Sequence, residues 1–225
     1  MSISKSDAEP VDLLARPSNS VPDTGRLKRA IVRGLALGLL IGAVTGLGQL
    51  ALEHLRPVPP LPVLGSVPSF QLTDQGGHSF GSADLAGHPW VAGFIFTSCT
   101  DTCPLITARM ASLARKHPSL RLVSFTVDPA RDGPAKLLDY GRKAGADFAR
   151  WSFLTGPVET IRTLVTHGFK LTMLGGDPKA GEGDVVHDER LVLVDGAGHI
   201  RGYYDGDADG AARLDRDAAR LLKGS

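Results

Sequence analysis

A chain of 225 residues holds one good-sized domain with segments to spare. Its 25 basic and 24 acidic residues nearly cancel, which removes any general electrostatic case for a nucleic-acid partner. Two cysteines are too few for the disulfide scaffold of a small secreted protein, and a hydrophobic share of 42% supports a true core.

Residues 1–25 are polar, hold Pro10, Pro17 and Pro22, and show no sustained periodicity, so they read as a disordered tail. Arg26, Lys28, Arg29 and Arg33 then precede an uncharged run from Gly34 to Leu52. At the rise of an α-helix that run covers roughly 28 Å, close to the thickness of a bilayer core. The long leader and the lack of an A-x-A cleavage site after the run favour an uncleaved anchor over a signal peptide. Residues 26–55 are therefore expected to form a transmembrane helix with its basic flank. The basic residues before the span place the N-terminus in the cytoplasm and the rest of the chain outside, in a bacterial periplasm. Gly34, Gly38, Gly42 and Gly46 recur every fourth residue and share one helix face, a pattern compatible with a homodimer and equally with ordinary glycine use in membrane spans.

Residues 56–67 are rich in proline (57, 59, 60 and 62), so they read as a semi-rigid extended spacer. The domain is expected over 68–225. "SFQLTDQGGHSF" predicts a hairpin turning at Gly76-Gly77, and "WVAGFIFTS" and "LRLVSFTVD" predict buried strands. "PLITARMASLARKH" and "AKLLDYGRKAG" read as helices and "WSFLTG" as a short strand. "PVETIRTLVTHG" reads as a helix with Pro157 at its start and Gly168 past its end. "RLVLVD" and "HIRGYYD" form a second hairpin around Asp195–Gly198, and an amphipathic helix closes the chain. This alternation predicts a three-layer α/β/α sandwich.

Both cysteines lie in "TSCTDTCPL". Cys99 follows a buried strand and Cys103 precedes the first apolar turn of a helix, with Pro104 where no intrahelical donor is needed. A helix N-terminus favours thiolate over thiol, so the placement suits reactive sulfurs. A disulfide between them would close a loop of five residues, worth only about 2 kcal/mol as a staple. Two functional readings remain. One is thiol–disulfide exchange, although the usual redox spacing is C-x-x-C. The other is a metal site, because two soft thiolates suit Cu(I), with zinc as the common competitor.

A metal needs a further ligand. His54, His78, His117, His167 and His199 sit in turns or at helix ends, where surface or capping roles are expected. His88 lies in the turn before the cysteine strand, and His187, in "DVVHDERLVLVD", stands where a loop enters a buried strand. "GFIFTSCTDTCP", "VSFTVDPARD" and "VVHDERLVLVDGAGHIRGYYDG", in that order over residues 68–222, together with the anchor and spacer, resemble the Sco/SenC family of membrane-anchored copper proteins that help assemble cytochrome c oxidase.

The resemblance implies a thioredoxin-like fold in which Cys99, Cys103 and His187 ligate one copper, as Cu(I) and also as Cu(II). It implies delivery to the CuA centre in the copper-bearing subunit of the oxidase, from a periplasmic copper donor or with a thiol reductant. The pair, when oxidised, would form a disulfide and release the metal. The alternatives are a membrane-anchored thiol–disulfide oxidoreductase that reduces the recipient's cysteines without carrying metal, and copper homeostasis or redox sensing. No steady turnover of a small substrate is expected. Asp128, in the family's "DP" segment, reads equally as a turn former and is not taken as a ligand. Thr100 stands where many members have proline, and Asp188 where many have serine or threonine. Asp205, Asp207, Asp209 and Gly210 mimic a calcium loop, but Arg216 occupies the position of its bidentate glutamate, so a solvated turn is expected instead.

Overall fold

The computed structural model describes residues 24–54, 59–174, 186–187 and 189–224. The expected tail over 1–23, residues 55–58 of the expected spacer, and Asp188 lie outside the described residues. The chain divides into two units between Pro59 and Pro60.

The first unit holds helix α1, Thr24–His54. Its Lys28–Gln49 segment, 22 residues, is long and apolar enough to cross a membrane. Within it, the Thr45 hydroxyl donates to the carbonyls of Ile41 (2.9 Å) and Gly42 (3.1 Å), so the helix itself satisfies the polar group.

The second unit is a mixed sheet between helices. In chain order it contains β1 (Gly65–Ser66), β2 (Gln71–Thr73), β3 (Ser79–Gly81), β4 (Trp90–Ile95), α2 (Thr102–Lys116), β5 (Arg121–Thr126) and α3 (Pro134–Lys143). There follow β6 (Trp151–Leu154), α4 (Val158–Thr163), β7 (Met173–Leu174), β8 (Val186–His187), β9 (Leu191–Val194), β10 (His199–Tyr204) and α5 (Ala208–Lys223). Six strands run in the order β1-β10-β9-β4-β5-β6, with β4-β5-β6 parallel and the remainder antiparallel. This is the expected thioredoxin-like α/β/α arrangement.

Alternation along the buried strands sorts side chains into two cores. Trp90, Ala92 and Phe94 of β4 join Phe125 of β5 on the face covered by α4, where Phe94 stacks on Phe125 (5.7 Å) and meets Phe169 edge-on (5.1 Å). Val91 and Ile95 point the other way, beneath α2, α3 and α5, with Met110, Leu137, Trp151 and Leu214. Two buried polar groups on that side find partners: the Trp151 indole donates to Ser124 Oγ (3.0 Å), and Ser124 donates to Met110 Sδ (3.7 Å). Parallel strands covered on both faces are apolar throughout, which is why β4 carries six buried residues in succession.

Two local features differ from the sequence-based expectation. Residues 60–67, assigned to the spacer by their prolines, belong to the domain's unit: Gly65 and Ser66 pair with Ile200 and His199, Leu64 N donates to Ile200 O (2.8 Å), and Arg201 donates to Leu61 O. Pro60 and Pro62 interrupt hydrogen bonding, whereas 63–67 are proline-free and can pair. Gly168 is not the left-handed stop of α4. The helix continues as a π turn through Gly168, with Phe169 N donating to Leu164 O (2.8 Å), and the left-handed residue is Lys170 (φ 55°). Gly168 serves close packing instead, since a Cβ there would lie 2.9 Å from Pro68 Cδ. The calcium-like aspartates are exposed in the expected turn before α5, where Asp207 caps the helix by accepting from Gly210 N (2.7 Å) and Asp205 pairs with Arg213.

His117 does more than end α2. Its Nε2 lies 2.8 Å from Asp215 of α5, and Lys116 contacts the same carboxylate at 2.8 Å. Burial pushes the Asp215 carboxyl up, but the hydrogen bonds from Lys116 and His117 outweigh it and leave its pKa below the usual value. A depressed carboxylate pKa contributes stability above the unfolded value that is lost as pH falls through the folded one. Asp215→Asn is therefore expected to cost up to about 1 kcal/mol near neutral pH, with the difference from wild type vanishing in acid. Urea unfolding at several pH values checks this.

Candidate metal and dithiol site

β4 ends at Ile95, and Phe96–Asp101 turns the chain into α2. The turn is tight: Cys99 N donates to Phe96 O (3.2 Å). Asp101 occupies the N-cap position but its side chain accepts nothing there. Cys99 Sγ takes over part of that role and accepts from Cys103 N at 3.3 Å. Pro104 follows in the first turn, where the missing N–H leaves nothing unpaired.

Neither cysteine is in a disulfide, and the two differ in exposure. Cys103 is fully buried against Ile106, Met110 and the β4 core, while Cys99 is partly open. Burial raises the Cys99 thiol, but hydrogen bonds from the Cys103 thiol and N–H, the Asp101 N–H and the Thr102 hydroxyl bring its pKa below the ordinary value. Burial also raises Cys103, and its own donation to Cys99 and the charges of Cys99 and Asp132 add to this against a lowering hydrogen bond from the Phe96 backbone. Cys103 is thus pushed up to about 12. The pair is one half-exposed nucleophilic sulfur backed by one buried, protonated sulfur.

Sequence reasoning missed the residue that holds this corner in place. Asp132 is fully buried, and its carboxylate accepts from Thr97 N (2.9 Å), the Thr97 hydroxyl and the Thr126 hydroxyl (2.7 Å). It thereby ties the turn two residues before Cys99 to the end of β5. Asp128 turns out to organise the same loop: its carbonyl accepts from Arg131 and Asp132 N–H, and its carboxylate pairs with Arg131. The Tyr140 hydroxyl, 2.8 Å from the Thr107 hydroxyl, is pushed up by burial and by the charges of Cys103, Cys99 and Asp132, despite the lowering Thr107 bond.

The histidines separate clearly. His88 precedes β4 and so lies at the opposite end of that strand from the cysteines. His199 and His78 contact Asp195 and Asp74 at 3.3 and 3.5 Å in their turns. His187 lies in β8, in register with Met173 of β7. Antiparallel pairing of β9 with β4, from Trp90–Val194 to Ala92–Val192, sets the start of β9 beside the half of β4 that leads to the cysteines. Among the described residues no three His, Cys, Asp or Glu side chains converge as a metal cluster.

A thioredoxin-like sandwich with a dithiol at the first turn of its helix defines a class of thiol-bearing α/β proteins. Within that class the chain belongs to the SCO1/SenC family, whose sequence model matches residues 64–223. It is 29% identical over 181 residues to the SCO1 protein homolog of Bacillus subtilis, covering 78% of this chain and 89% of that one. BsSco, described as having a disulfide switch and as a member of the Sco family of cytochrome c oxidase assembly proteins, superposes with a TM-score of 0.63 at 28% identity, covering 72% of this chain and 97% of that one. ScoI of Bradyrhizobium japonicum, solved with copper bound, shares the fold at a TM-score of 0.54 and 23% identity, covering 67% of this chain and 98% of that one.

Proposed function

We propose that this chain is a membrane-anchored copper carrier acting in cytochrome c oxidase assembly, with delivery to the CuA centre. Copper is its cargo, held by Cys99, Cys103 and His187, one ion per chain. The observation that carries the reading is the pair of reduced, hydrogen-bonded cysteines at the start of α2, one buried and one partly open. Two soft sulfurs suit Cu(I), and an opening on the Cys99 side lets an incoming thiol displace a ligand. Support also comes from the copper-bound relative of the same fold and from the family's association with oxidase assembly. The basic residues before the apolar run of α1 support a topology with the N-terminus in the cytoplasm and the domain in the periplasm of a bacterial inner membrane. The glycine face of α1 offers a route to a homodimer.

The unequal thiols favour a second reading, that of a reductase. Cys99 thiolate would attack a recipient disulfide, expel one recipient thiolate and form a mixed disulfide. Cys103 would then displace the second recipient sulfur, leaving a Cys99–Cys103 disulfide and two reduced recipient thiols. Cu(I) titration of the full chain in detergent separates the two. One equivalent is expected in wild type, lost in Cys99→Ala and Cys103→Ala and weakened at least tenfold in His187→Ala. A His187→Ala protein that held copper like wild type while exchanging disulfides rapidly would shift the assignment to the reductase.

A further inference from the structure

Several cations on the domain's helices are matched to carboxylates, as in Lys116–Asp215, Arg142–Asp139, Arg162–Glu159 and Arg220–Asp217. Arg115 of α2 and Lys143 of α3 form no ion pair among the described residues. Both line one open groove of about 530 Å³ between α2 and α3, and no acid lines it. The floor is small and apolar (Ala108, Ala111, Ala144), crossed by the Thr107–Tyr140 hydrogen bond. Its other end is Pro104 and Thr97, which flank the two cysteines. From Pro104 to Arg115 along α2 is roughly 16 Å, the length of about five residues of extended chain.

We propose that this groove receives an extended segment of the partner protein, with carboxylates about five residues from the group that meets Cys99. The inference rests on the transfer reading above and names the recognition surface of that site. Two unmatched positive charges at a fixed distance from the dithiol select an acidic segment in one register, and the small-residue floor admits a backbone at close range. A lipid surface is flat and would not enter a concave slot between helices.

The test uses the reduced, metal-free full chain in neutral detergent. The probes are synthetic peptides with one cysteine carried as its mixed disulfide with thionitrobenzoate. One peptide has an Asp pair five residues from the cysteine on each side, one has Lys pairs there, and one has the Asp pairs adjacent to the cysteine. Cys99 sulfur attacks the peptide sulfur, forming the Cys99–peptide disulfide and expelling the coloured thionitrobenzoate anion, which is timed. The spaced Asp peptide is expected to react about tenfold faster than either other peptide at low salt, with the gap closing as salt rises. Arg115→Glu with Lys143→Glu should invert the preference, while Arg216→Glu, an exposed unpaired cation on α5, should leave it intact. Equal rates for the three peptides, or loss of preference in Arg216→Glu, would overturn the groove. So would an effect of the double reversal seen only when anionic lipid replaces the neutral detergent. Alkylation by neutral iodoacetamide and Cu(I) loading should be unchanged in the groove variants. A wild type that binds no Cu(I) fails the transfer reading separately, because the peptide rates do not depend on metal.

Discussion

Asp132→Ala is expected to destabilise the domain by roughly 3 kcal/mol, since it strips the acceptor from three buried or half-buried donors. Thr97 N–H, the Thr97 hydroxyl and the Thr126 hydroxyl all converge on this carboxylate, and no water reaches a side chain with no exposure. Asp132→Asn retains one acceptor and the shape of the group, so it should fall between alanine and wild type. Trp90 and Trp151, both buried in the domain, report unfolding in urea by fluorescence. A merely structural role would change stability alone. A positioning role also changes the thiols: the Asp132 charge helps hold Cys103 protonated, so its removal should make Cys103 titrate lower. A loss below about 1 kcal/mol with an unaltered Cys103 profile would exclude the role assigned to this carboxylate.

Alkylation of the reduced, metal-free protein near pH 7 should modify Cys99 at least a hundredfold faster than Cys103. Only the thiolate reacts, and its fraction falls tenfold for each unit by which the pKa exceeds the pH. Cys99 lies below the ordinary thiol value while Cys103 stands near 12, and burial limits reagent access to Cys103 further. The rate at Cys99 rises with pH and levels off before that of a free cysteine would; the rate at Cys103 continues to rise into strong alkali. The stability effect of Cys103 has the opposite sense from that of Asp215. Its raised pKa favours folding while the thiol is protonated in both states, and this contribution is lost as pH climbs from the unfolded value towards about 12. Peptide mapping by mass after timed alkylation reads both rates, and equal labelling would show that the thiols are not differentiated.

The longer elements of the domain were legible in the sequence because their signals are local, whereas the two-residue strands β1, β7 and β8 carry no such signal. A run such as "WVAGFIFTS" has no polar face and therefore describes a strand covered on both sides, as β4 is. The dithiol was legible for the same reason: a strand end, two cysteines and Pro104 together describe a strand-to-helix corner whatever surrounds it. The cap itself was not, because nothing in "TSCTDTCPL" distinguishes Asp101 from Cys99 as the acceptor for Cys103 N–H. The geometry selects the sulfur.

Asp132 illustrates the larger limit. In "TVDPARD" two aspartates stand four apart, and each would serve to terminate a strand. Their partners separate them: Asp128 keeps a little exposure and pairs with Arg131 in its own loop, whereas Asp132 turns fully inward to gather donors from residues 35 and 6 positions away. His88 is a complementary case, six strand residues too early to approach the cysteines although it is a near neighbour in sequence. Sequence determined the order and type of the longer elements, the strand-to-helix corner that carries the two sulfurs and the family resemblance, because these depend on side-chain identity and short spacing. Tertiary structure alone decided which carboxylate is fully buried, that Gly65 and Ser66 join the sheet, and which cations face a groove with no ion pair among the described residues. Those depend on long-range pairing and desolvation, which only the packed chain defines.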